Sequence, residues 1–178
     1  SMRRSRAARS IALASLDLAF VDVAGLSAIV ALLVADLRPS LLFTTTLPAG
    51  GDLASHYQTA LWLREHLGTH PRLHGWWPGA YLGHPLLLYY FPLAFLLMVA
   101  LGLVVPMPVA FKLVVAAAPL TLPLAAYAAL RLLRARFPTP LLAATAATVF
   151  LFVEENPIWG GTLASVFTGE FSYSFGLA

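Results

Sequence analysis

An apolar run over residues 18–37 directly follows arginines at positions 3, 4, 6 and 9. A helix needs about 20 apolar residues to cross the hydrocarbon core of a bilayer. A secretory leader would end a short apolar core at a small-residue cleavage site, and none follows here. The run therefore reads as a signal-anchor helix, TM1 over 11–38, whose start the arginines hold in the cytoplasm. Composition agrees. The 178 residues are 60% hydrophobic and 11% charged, with a mean hydropathy of +0.80. A water-soluble domain is about half apolar and about a quarter charged, so lipid is the expected solvent. With no cysteine, disulfides, thiolate metal sites and thiol nucleophiles are excluded. The expected fold class is all-α, a polytopic membrane protein.

Residues 39–108 read as a first outer loop. Within it, 53–67 place Leu53, Tyr57, Ala60, Leu61 and Leu67 at helical spacing, with Asp52 as N-cap and Gly68 as stop. This amphipathic helix is too polar to span and is expected along the membrane surface. Trp76, Trp77 and Tyr81 follow, in a loop whose rings suit the headgroup level. Residues 86–105 are apolar but contain Pro92. Two more apolar segments, 109–132 and 138–153, precede a second outer loop over 154–178.

Charge decides the topology. If 86–105 and 109–132 both spanned, Arg131, Arg134 and Arg136 would face outward, against the positive-inside rule. Laying 86–105 in the outer interface, or making it re-entrant, returns those arginines to the cytoplasm. About three transmembrane helices then remain, TM1, TM2 over 109–132 and TM3 over 138–153, plus interfacial helices in the first outer loop. Three helices enclose little, so the chain is expected to be part of a longer polytopic protein, completed by its remainder or by partner subunits. No nucleic-acid partner is expected.

Few residues can carry chemistry. Asp17 and Asp36 fall near the two ends of TM1. Asp22 lies deeper, where a carboxylate needs a partner; it reads as a helix–helix contact or as part of a proton relay. Asp52 follows Gly50 and Gly51, and His56 stands one turn on, so a helix turns both side chains the same way. Asp52 is then either a plain N-cap or a carboxylate that orients His56 or shares a ligand with it. All five histidines (His56, His66, His70, His74 and His84) lie in this loop. His66, His70 and His74 are spaced by four, but Pro71 interrupts any helix that would align them for a zinc or copper ion. Glu154 and Glu155 are either solvated charges at a helix end or a second acidic cluster facing Asp52, able to act as general base or to hold a cation. Tyr89, Tyr90 and Phe91 read as aromatic packing or a stacking surface.

One ordered set of residues resembles a known family. It comprises Gly51, Asp52, His56, Glu65, Trp77, Gly79, Gly83, Pro85, Tyr90, Pro92 and Leu93, then Gly160, Gly161, Gly169, Glu170 and Ser172. It looks like the N-terminal part of bacterial GT-C-type membrane glycosyltransferases, closest to the membrane family labelled "6-pyruvoyl-tetrahydropterin synthase-related domain". The resemblance implies transfer of a sugar from a polyprenyl-phosphate donor to an acceptor hydroxyl at the outer face of the bacterial inner membrane. It implies Asp52 as general base, with His56, Glu154 and Glu155 as further catalytic candidates. Gly51, Arg64, Arg72, Trp77, Tyr90 and Glu170 are the substrate-binding candidates, Arg64 and Arg72 as donors to the phosphate. The resemblance fixes no cofactor; the developing negative charge needs donors or a cation, and a divalent cation, magnesium or manganese, would fit the chemistry. Two other readings stand beside it. In a non-catalytic scaffold or assembly module Asp52 would only cap its helix. In a transporter fragment Asp22 would line a polar path.

Overall fold

The computed structural model describes residues 2–79, 82–155 and 157–178, with side chains from residue 18 onward. The side chains of Arg3, Arg4, Arg6, Arg9 and Asp17, and the whole of Tyr81, lie outside the described residues. Helix accounts for 65% of the chain and strand for 4%. Helix α1 (Met2–Asp36) leads through short α2 (Pro39–Leu42) to α3 (Leu53–Thr69). A hairpin of β1 (Gly75–Trp77) and β2 (His84–Leu86) follows, then α4 (Leu93–Leu101), α5 (Met107–Leu132) and α6 (Thr139–Leu151). The chain continues through α7 (Leu163–Ser165), a π-turn (Val166–Glu170) and α8 (Phe171–Leu177).

Polar contacts fix the direction of α1 against α5. Buried Asp22 accepts hydrogen bonds through Oδ2 from Tyr127 Oη at 3.0 Å and from Arg131 at 3.4 Å. Past the other end of α1, Lys112 Nζ donates to the Leu41 carbonyl at 2.5 Å, the Thr44 carbonyl at 2.7 Å and Thr44 Oγ1 at 2.8 Å. The helical rise from Lys112 to Tyr127 is about 22 Å, so the contacts lie near opposite ends of an antiparallel pair. Helix α6 returns beside α1, where Gly25 meets Leu141 and Ile29, Leu33, Ala144 and Leu151 share a small core. One end of this bundle carries Arg131, Arg134 and Arg136. The other carries a cap built from α3, the hairpin, α4 and the segment from α7 to α8.

By length and composition, Leu18–Asp36 and Met107–Leu132 are long and apolar enough to cross a membrane. The third expected span is not: α6 has 13 residues and rises about 20 Å, short of a hydrocarbon core of about 30 Å. The helix expected over 86–105 contracts to the nine residues of α4, because Leu86 pairs with Gly75 in the hairpin. Pro92 then sits at the N-cap of α4, and Pro106 starts the next helix. The amphipathic face of α3 is also used differently from the surface helix expected of it. Leu53, Ala60 and Leu63 are fully buried in a core with Phe95, Met98 and Phe111. That face packs on protein, so it is not available to a lipid surface.

Candidate functional site

Asp52 is set in place by backbone. Gly51 has a φ of 41° and lies so close to the Thr168 carbonyl that a Cβ would overlap it. The Asp52 amide donates to that carbonyl at 2.8 Å. Thr168 is itself held, its hydroxyl sharing its one proton between the Pro157 and Ser165 carbonyls, each at 2.9 Å. The Gly-Gly-Asp segment and the π-turn, over a hundred residues apart in sequence, therefore lock together. Asp52 occupies the N-cap position of α3, yet its side chain makes no cap hydrogen bond. The Gly50 carbonyl accepts from the Leu53 amide instead, and the Asp52 carbonyl accepts from the His56 amide and from Ser55 Oγ. The exposed carboxylate is left open.

His56 stands one turn along. Its ring lies 5.4 Å from Tyr90, 5.8 Å from Phe95 and 5.2 Å edge-on from Phe171, measured between centroids. Gly169, at φ 125°, closes the fourth side: a Cβ there would stand 3.2 Å from His56 Nε2 and from Asp52 Cβ. Burial pushes the His56 pKa below its ordinary value, against an upward pull from the Asp52 charge. The imidazole is therefore neutral at pH 7. Tyr90 is pushed upward, first by burial, then by the Glu170 carboxylate, with Ser172 acting the other way and Asp52 adding to the rise.

These groups open on a cavity of about 560 Å³. Its polar wall comes from one face of α3, Asp52, Ser55, His56 and Thr59, and from His84 on the hairpin. Trp77, Tyr89 and Tyr90 supply the aromatic wall. The Trp77 ring packs over Gly79 and meets His84 edge-on at 5.5 Å, which holds it as a platform. An open carboxylate beside a neutral imidazole can take a proton from a hydroxyl ligand, and the aromatic faces can stack on an apolar ring face.

Of the residues singled out by sequence, Asp52, His56, Trp77 and Tyr90 line this cavity, Gly51 lies beneath Asp52, and Glu170 acts on Tyr90 through its charge. Glu154 and Glu155 do not join them. Helix α6 ends at Leu151, leaving both glutamates in an exposed bend, and the chain returns to Asp52 only at the π-turn. Arg64 and Arg72 are exposed and outside the lining; Arg64 instead acts on Tyr57 through its charge. The sequence reading missed Ser55 and Thr59 as lining residues; helical spacing from Asp52 could have found both. It named His84 among the loop's histidines and Tyr89 as aromatic packing or a stacking surface, and the structure places both in the cavity lining.

His66 and His70 serve packing. Trp62 stacks on His66 at 4.5 Å, and His66 on His70 at 5.3 Å. Among the described residues no three His, Asp or Glu side chains are grouped to hold a metal ion. They do not by themselves build a site for the magnesium or manganese that the resemblance would admit. No protein-family model matches the chain, and no curated protein or solved structure matches it.

Proposed function

We propose that the chain is the N-terminal module of a polytopic, GT-C-type membrane glycosyltransferase, moving a sugar from a polyprenyl phosphate to an acceptor hydroxyl. It would lie in a bacterial inner membrane with the arginine end of the bundle in the cytoplasm and the cap outside. The remainder of a longer chain, or partner subunits, would complete the enzyme. The observation that carries this reading is the Asp52 carboxylate, which is not used to cap its helix and opens on an aromatic-walled cavity. A scaffold would need Asp52 only as a cap. A transporter would need Asp22 on a polar path, whereas Asp22 is buried against Tyr127 and Arg131. Two apolar helices of spanning length support the membrane setting.

The chemistry needs one base. Asp52 takes the proton from the acceptor hydroxyl as its oxygen bonds to the anomeric carbon. The bond from that carbon to the phosphate oxygen breaks, and its electron pair leaves with the phosphate. Neutral His56, caged by three rings, helps to orient the hydroxyl. Positioned base catalysis contributes about 10²–10⁴-fold, so Asp52→Asn should cut transfer by about that factor. The test uses the completed enzyme, this module together with the remainder of its chain or its partner subunits, in nanodiscs with a panel of radiolabelled polyprenyl-phosphate sugars and a hydroxyl acceptor mixture. Unchanged transfer by a correctly folded Asp52→Asn variant would remove the proposal.

A further inference from the structure

We infer that the 560 Å³ cavity receives a neutral, polyhydroxylated ligand, a saccharide acceptor, and rejects phosphate. The inference rests on the sugar-transfer reading and names which half of the reaction this cavity serves. Its first support is the direction of the hydrogen bonds. Ser55 Oγ already donates to the Asp52 carbonyl at 2.8 Å, and Thr59 Oγ1 to the Ser55 carbonyl at 3.0 Å. Each hydroxyl has one proton, so both can offer the cavity only lone pairs. The Asp52 carboxylate is likewise acceptor-only. The Asp52, Ser55 and Thr59 groups therefore ask for donors, while the neutral His56 ring and the Tyr89 hydroxyl can donate as well as accept. A polyol, both donor and acceptor, matches the two sets, whereas a phosphate dianion brings only acceptors.

Charge points the same way. Among the described residues the lining holds a carboxylate and no lysine or arginine. Glu170 adds a second negative group close enough to act on Tyr90, and His56 is held neutral by burial. Arg64 and Arg72, the cations expected to hold phosphate, are outside the lining. The Trp77 platform, fixed by Gly79 and His84, suits the apolar face of a sugar ring. The volume lies within the range of small-ligand pockets, about 300–1,000 Å³. The phosphate of the donor must then be held by groups outside this wall.

The test titrates the full chain in nanodiscs with methyl hexosides, the matching hexose 1-phosphates, inorganic phosphate and choline, reading tryptophan fluorescence and saturation-transfer NMR. At least one methyl hexoside should bind, with the matching hexose phosphate about tenfold weaker. Trp77→Phe and Asp52→Asn should each weaken the hexoside about tenfold, while Trp76→Phe, outside the lining, leaves it unchanged. Asp52→Asn should also narrow the gap between hexoside and hexose phosphate. The inference is overturned if phosphate, hexose phosphate or choline binds as tightly as the best hexoside, or if no hexoside binds. Phosphate-preferring binding alongside Asp52-dependent transfer would overturn this inference and leave the glycosyltransferase. Hexoside binding with no transfer would do the reverse.

Discussion

A single methyl group at Gly169 tests the cap most sharply. Gly169 has φ 125° and ψ −8°, a region nearly closed to residues with a Cβ, where holding one costs about 1–3 kcal/mol. The added Cβ would stand 3.2 Å from Asp52 Cβ, His56 Cδ2 and His56 Nε2. His56 cannot swing aside, because Tyr90, Phe95 and Phe171 surround its ring, and overpacking of this kind costs about another 1–3 kcal/mol. Gly169→Ala should therefore destabilise the chain by about 2–6 kcal/mol, which at about 2–4 °C per kcal/mol is a fall in Tm of about 4–24 °C. Gly68 is the control. It lies within α3, and no atom stands within 4 Å of where its Cβ would be. Gly68→Ala should stabilise by about 0.5–1 kcal/mol through helix propensity. Thermal unfolding of both variants in one detergent, followed by circular dichroism, reads the difference. If Gly169→Ala melts with the wild type, or Gly68→Ala is the more damaging, the packing of the π-turn against Asp52 and His56 is wrong.

Other measurements address separate parts of the structure. The lowered His56 pKa means that the unfolded chain binds this proton more readily, near its ordinary value of about 6.5. The stabilisation is therefore complete above about pH 6.5 and is lost as pH falls through the folded-state value; His56→Gln should flatten that acid-side decline in Tm between about pH 5 and 8, and identical slopes would count against it. Lys112→Met removes three hydrogen bonds to Leu41 and Thr44 and should cost about 1.5–3 kcal/mol. It should also speed proteolysis of the 39–51 segment, and an unchanged cleavage rate would show that Lys112 does not tether it. In this cysteine-free chain, Ser55→Cys and Thr139→Cys should label from opposite sides of the membrane. Labelling of both from one side would sink the topology.

Much of the helical layout was legible from residue order alone, because it depends on local properties. The apolar stretches of α1 and α5 act over the thickness of a bilayer, whereas the start of α4 after Pro92 was not legible, because it depends on the pairing of Leu86 with Gly75. The apolar face of α3 was legible because it too is local: Leu53, Tyr57, Ala60 and Leu61 recur at helical spacing. So was the pairing of Asp52 with His56, one turn apart. What those faces pack against was not. The face of α3 suited a lipid surface and a protein core equally well, and only the arrival of Phe95, Met98 and Phe111 decided for the core. Asp52 could equally have capped its helix. Its carboxylate makes no cap hydrogen bond, and what positions it is the Asp52 amide held on the Thr168 carbonyl of the π-turn. The roles of Glu170, Glu154 and Glu155 were undecidable from spacing. Glu170 comes near enough to act on Tyr90 through its charge, on a turn that Gly51 and Gly169 allow to approach Asp52, while the other two glutamates lie in an exposed stretch after α6. Sequence by itself therefore determined the helices and which residues share a turn. Only the tertiary structure, through backbone contacts between segments over a hundred residues apart, decided which of those residues share a site.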